Sequence, residues 1–163
     1  MGITHFDAIA LAEGKLYAGK KGEEVLVLQA TPRLECISKE CAITGFTDGG
    51  GTSGYIDFAA NSLPAGAIPL GWKAVVTEGF DGNSSATISV GVSGDTDRFS
   101  ADTAQSVAAA GVVGSSALAA DACDGIGAAQ TPRVTVTTAS DFTAAKSDGD
   151  GVMTVYLYYL RTA

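Results

Sequence analysis

Val152-Met153-Thr154-Val155-Tyr156-Leu157-Tyr158-Tyr159-Leu160 is an unbroken run of β-branched, aromatic and aliphatic side chains without glycine, proline, asparagine or aspartate. That composition suits a pleated, half-buried strand. Ser147-Asp148-Gly149-Asp150-Gly151 precedes it and supplies residues that tolerate positive φ, so the strand is entered through a turn. Further back, Val134-Thr135-Val136-Thr137 and Thr87-Ile88-Ser89-Val90-Gly91-Val92 alternate strictly, and the segment from Ala67 to Thr77 carries Val75-Val76. Tyr55-Ile56-Asp57-Phe58-Ala59 alternates as well. Leu34 to Ser38 and Cys41 to Thr44 read as a strand pair turning around Lys39-Glu40, and Val25 to Leu28 as a further short strand. Asp81-Gly82-Asn83 and Gly49-Gly50-Gly51 fall between strands, as turns do. About eight short strands at this spacing predict an all-β chain folded as an antiparallel sandwich.

Two stretches depart from the pattern. Residues 1–22 hold apolar clusters interrupted by Gly14, Gly19 and Gly22, and predict an extended N-terminal arm ahead of a β-sandwich domain over 23–163. A short helix from Asp7 to Glu13 is the alternative. Ile3, His5, Phe6, Ile9, Leu11, Leu16 and Tyr17 are the candidate partner contacts, because most of them are too apolar to be left in water. The second stretch, from Ser100 to Ala129, is rich in Ala, Gly and Ser, shows no convincing strand, and admits a helix over 101–109. A loop of that length inside one domain tends to be functional or interfacial.

Composition narrows the function. The 163 residues are 46% hydrophobic and 17% charged, which favours a folded domain over disorder. No basic start followed by an apolar stretch is present, so no signal peptide is expected, and no apolar run reaches the ~18 residues of a membrane span. Net charge is −8, with 18 acids against 10 bases. Phosphate backbones need Lys and Arg to release counterions, so nucleic acid is a poor partner.

Catalytic chemistry is thinly represented. His5 is the one histidine, and a Ser–His or Cys–His pair would need the arm folded into a pocket. Asp57 is a strand acid read as hydrated and outward-facing. Thr47-Asp48-Gly49-Gly50-Gly51-Thr52-Ser53-Gly54 lacks the Gly-Lys-Ser/Thr ending of a phosphate loop. Ser93-Gly94-Asp95-Thr96-Asp97 and Asp148-Gly149-Asp150 space oxygens as calcium would accept them, without the rest of a calcium loop. Asn83-Ser84-Ser85 fits a glycosylation sequon but reads as turn chemistry. Cys36, Cys41 and Cys123 are an odd set for a disulfide framework. Cys36 and Cys41 read as a buried reduced pair, with pairing across a tight turn as the alternative. Zinc is poorly served by this spacing, and no catalytic residue, metal or cofactor is expected. Trp72, beside Leu70, Gly71 and Lys73, reads as a core or interface residue, with sugar stacking as the alternative.

The opening Met1-Gly2-Ile3-Thr4-His5-Phe6, the segment Leu63-Pro64-Ala65-Gly66-Ala67-Ile68, the strand Ser85 to Gly91, Ser93 to Phe99 and the Tyr-rich C-terminal strand together resemble bacteriophage head decoration, or cement, proteins. The resemblance covers about half of the chain. It implies a jelly-roll-like β-sandwich seated on the outer surface of a capsid, with the major capsid protein as partner, commonly as a homotrimer at local threefold positions, and an arm that reaches to neighbours. It implies neither membrane nor nucleic-acid binding and carries over no active-site residue. A carbohydrate-binding β-sandwich module and a tail or neck component are the alternatives.

Overall fold

The computed structural model describes residues 8–12, 15–19, 25–28, 33–80, 85–100, 104–116 and 125–161. They form β1 (Ala8–Ala12), β2 (Lys15–Gly19), β3 (Val25–Leu28), β4 (Arg33–Ala42), β5 (Thr47–Asp48), β6 (Ser53–Asp57), β7 (Ala67–Glu78), β8 (Ala86–Gly91), β9 (Gln105–Ser106), β10 (Gly111–Ser116), β11 (Arg133–Thr138), α1 (Phe142–Asp148) and β12 (Val152–Arg161), with a 3₁₀ turn at Ile43–Gly45. β1, β2 and β3 pair as a three-stranded sheet. The remaining strands form a four-stranded sheet in the order β10-β7-β12-β4 and a five-stranded sheet in the order β5-β6-β11-β8-β9. Neighbouring strands run antiparallel throughout. The chain is an all-β antiparallel sandwich, as its alternating runs predict.

β12 organises the four-stranded sheet. Its side chains alternate: Met153, Val155, Leu157 and Tyr159 are buried, while Val152, Thr154, Tyr156, Tyr158 and Leu160 are half-buried on the other face. Each buried position of this kind contributes on the order of 1.5–3 kcal/mol by leaving water. Trp72, Ala74 and Val76 of β7 join them in one apolar cluster with Ile88 and Val90 of β8 and Val134 and Val136 of β11. Phe46 meets Phe80 edge-on with ring centroids 6.0 Å apart, and lies 6.0 Å from Phe142.

β7 carries two irregularities that fit its sequence. Between Tyr158 and Tyr159 the register jumps from Gly71 to Pro69, leaving Leu70 as the extra residue of a bulge. Proline lacks the N–H that a ladder needs, and a bulge beyond the reach of β10, which pairs only from Gly71 to Val76, accommodates it. At the other end Thr77 is the extra residue, and its hydroxyl donates to the Val152 carbonyl at 3.1 Å.

Several stretches differ from what the sequence suggests. Lys39-Glu40 is not a turn: Arg33–Ala42 is one strand, paired along its whole length with β12. Nothing there favours positive φ, and an edge strand tolerates charged side chains. Residues 104–109 contain the strand β9 and no helix, and β10 follows in a stretch where no strand was legible. α1, unforeseen in the sequence, is capped by Asp141, whose carboxylate accepts from the Thr143 N–H at 2.9 Å, and ends at Gly149 with φ 80°. Within Asp7 to Glu13, the described residues Ala8–Ala12 are strand, not helix.

Candidate interaction surface

The residues with chemical potential are occupied structurally. Asp57 is not merely hydrated: Arg133 Nε and Nη2 donate to its two carboxylate oxygens at 2.7 and 2.9 Å. The guanidinium also lies 3.7 Å from the centroid of the Tyr55 ring, so one face of that ring is covered. Hydrogen bonding to Asp57 raises the Arg133 pKa further above its ordinary value. Asp48 closes an Asx turn onto the Gly50 N–H at 2.8 Å and accepts from the Thr143 hydroxyl at 2.8 Å; these bonds hold its carboxyl below the usual range. The glycine-rich segment is thus the hairpin loop between β5 and β6.

Asp95 closes a backbone bridge with Val92, and Asp148 ends α1. Among the described residues no three His, Cys, Asp or Glu side chains gather as a metal site would require. His5, Cys123, Asn83 and the turn Asp81-Gly82-Asn83 lie outside the described residues.

The reading of Trp72 as a core residue holds, and the reading of Cys36 and Cys41 changes. Trp72 is 3% exposed and its Nε1–H donates to Ser100 Oγ at 2.9 Å, so its ring is a core element and offers no sugar-stacking face. Cys36 and Cys41 are not a buried pair: Cys41 is fully buried and Cys36 is exposed. Five residues apart on one extended strand, they stand on opposite faces about 17 Å apart along the strand axis. Burial pushes the Cys41 thiol up to about 12.

The outward faces of the two sheets differ in character. On the five-stranded sheet, Ser53, Tyr55, Asp57, Thr87, Ser89, Arg133, Thr135 and Thr137 alternate with the buried positions, giving a largely polar surface on which Arg133 pairs with Asp57. On the four-stranded sheet the same alternation brings out Tyr156, Tyr158 and Leu160 of β12, Leu34 and Cys36 of β4, Val75 of β7 and Val112 of β10, alongside the polar Thr154, Ser38, Glu40 and Lys73. Leu34 and Val112 are 65% and 64% exposed. Gly71 sits opposite Tyr158 in the register and contributes no side chain there. With Leu34, Leu70, Trp72 and Ser115, these two residues line an open hollow of ≈ 390 Å³. An apolar surface of this kind is the usual mark of a contact site. Its β12 half is visible in the sequence as strand residues, whose face is set by register. Its β4 and β10 contributions are not, because the sequence pattern suggests a hairpin at the one and a loop at the other.

Of the arm residues singled out, Ile3, His5 and Phe6 lie outside the described residues. Ile9, Leu11, Leu16 and Tyr17 fall on β1 and β2, where Ile9 pairs with Ala18, Leu11 with Leu16 and Ala10 with Tyr17. β3 pairs with β2, so residues 25–28 share a sheet with the segment before them. Among the described residues no helix is long and apolar enough to cross a membrane.

Comparison with known proteins gives one informative likeness. A chain of the cyanophage Pam1 capsid asymmetric unit superposes with a TM-score of 0.52 at 19% sequence identity, covering 88% of this chain and 98% of that one. It is a likeness of fold. Because nearly all of that chain is matched, the shared architecture is a whole sandwich and not an isolated hairpin. No family model and no curated protein matches the sequence.

Proposed function

We propose that the chain is a phage virion structural protein, a decoration or cement protein that binds the outer surface of an assembled head at subunit junctions and stabilises it. The observation that carries this reading is the fold shared over almost its entire length with a chain of a cyanophage capsid. Three further features support it. Polar side chains that could carry chemistry are engaged with one another, Asp57 with Arg133 on the outward face of the five-stranded sheet and Trp72 with Ser100 in the core. The exposed apolar side chains on the outward face of the four-stranded sheet, Leu34 and Val112 among them, suit packing against a protein partner. The net charge of −8 suits an outer surface better than one facing packaged DNA. In this reading the major capsid protein is the partner, the protein acts as a homotrimer, and residues 1–22, with Ile3, His5, Phe6, Ile9, Leu11, Leu16 and Tyr17, make part of the contact. Many weak contacts repeated over a symmetric shell then sum to firm attachment.

The test is pelleting of purified protein with shells of the cognate capsid protein. Saturable co-sedimentation is expected, weakened on deletion of residues 1–22 while the sandwich stays folded. Absence of binding to mature shells, together with recovery of the chain in isolated tails, would move it to the tail.

A further inference from the structure

The two sheets of the sandwich end differently. The five-stranded sheet finishes on β5 and β9, two residues each, which are too short to template another strand. The four-stranded sheet finishes on one side with β4, ten residues long, and among the described residues β4 is paired only with β12. Arg33–Ala42 contains neither proline nor glycine, so what guards this edge is charge alone, from Arg33, Glu35, Lys39 and Glu40, and it yields only to a partner strand of matching charge. Every second residue along it presents its N–H and C=O away from β12.

The side chains of β4 favour one occupant. On the core-facing side stand Arg33, Glu35, Ile37, Lys39 and Cys41: Cys41 is fully buried, Ile37 packs on the core, and Glu35 accepts a hydrogen bond from the Tyr159 hydroxyl at 2.7 Å and lies 3.7 Å from Arg161 Nη1 of the same chain. Glu35 and Lys39 therefore flank Ile37 symmetrically with opposite charge. We propose that β4 pairs antiparallel with β4 of a second copy of this chain, about a twofold axis through Ile37, joining two four-stranded sheets into one. In that register each Glu35 lies opposite Lys39 of the other copy, so two attractive cross-strand pairs form. Leu34 then lies opposite Glu40, and Cys36 opposite Ser38.

Neighbouring registers that keep both cores on the same side lack this match. Centring on Glu35 or on Lys39 sets like charges face to face, and centring on Cys36 sets Arg33 against Lys39. Centring on Ser38 leaves Glu35 opposite Cys41. Charge thus selects both the partner and the register, since opposite charges directly across strands stabilise and like charges destabilise. The inference goes beyond the capsid reading and does not need it: the pairing is a property of the free protein, and on a shell it would join neighbouring units across twofold positions.

Sedimentation velocity on the full chain over a concentration series tests this. Wild type is expected to show reversible doubling of its mass, whatever the starting unit, weakening as salt rises. Lys39→Glu turns two attractive pairs into two repulsive ones and should raise the dissociation constant on the order of 30-fold. Glu35→Lys combined with Lys39→Glu restores the pairing and should recover the doubling. Circular dichroism checks that each variant keeps its fold. No doubling in wild type would overturn the proposal, as would doubling that Lys39→Glu leaves untouched. Doubling that survives Lys39→Glu but vanishes when residues 1–28 are deleted would give the edge to the N-terminal segment of a neighbour instead.

Discussion

Trp72 Nε1 donates to Ser100 Oγ at 2.9 Å, and the same hydroxyl oxygen accepts the Val90 N–H at 2.8 Å, with Ser100 itself 3% exposed. Trp72 belongs to the four-stranded sheet and Val90 to the five-stranded one, so a single hydroxyl links the two layers. Ser100→Ala strands two buried donors and should lower unfolding free energy by about 2 kcal/mol. Denaturant titration followed by the fluorescence of Trp72 measures this directly. A change within a few tenths of a kcal/mol would show that the link carries no stability.

Gly54 admits no side chain. A Cβ there would collide with the ring of Phe142, the fully buried first residue of α1. Gly54→Ala should therefore cost about 1–3 kcal/mol through overpacking. Combined with Phe142→Leu, the penalty should be smaller than the sum of the two single changes, as expected for side chains competing for one space. Strict additivity would refute the contact.

Alkaline pH should unfold the protein through two groups. Burial pushes Cys41 from 9.0 up to about 12, and burial, then the hydrogen bond to Glu35, pushes Tyr159 from 10.0 to about 12. Both pKa values are raised in the fold, so the unfolded chain loses these protons first. The associated stability is complete below about pH 9 and is lost as pH climbs toward about 12. Thermal midpoints measured from pH 8 upward should fall across this window. Cys41→Ala should flatten the early part of the fall; an identical slope would exclude Cys41 as a contributor.

Thiol labelling separates Cys36 from Cys41. In a Cys123→Ser background, Cys36 should react promptly with an aromatic disulfide reagent. Cys41 should react only on unfolding, since it is 0% exposed and its thiolate is disfavoured. Two equally fast thiols would contradict the placement of β4.

The sandwich was legible because its central strands alternate: β8, β11 and β12 each bury every second residue, which is the period the sequence displays. The edges were not. β9 and β10 lie in Ala-, Gly- and Ser-rich sequence whose side chains bury little area, and they are held by pairing with β8 and β7, which local composition does not encode. β4 was misread because its Lys-Glu pair resembles a turn, whereas the complementary length of β12 keeps it extended. The hydroxyl of Ser100 acts through residues 28 and 10 positions away, a long-range relation that no periodic signal reveals. On the candidate surface, Tyr156 and Tyr158 were visible as strand residues, but the face they share depends on register.

The measurement that most directly tests the central claim is an electron cryo-microscopy reconstruction of cognate heads assembled with and without this protein. Added density for the sandwich on the outer surface, seated at subunit junctions with residues 1–22 against the major capsid protein, is the predicted result. Identical heads in the two preparations, with the chain absent from the shell, would contradict it.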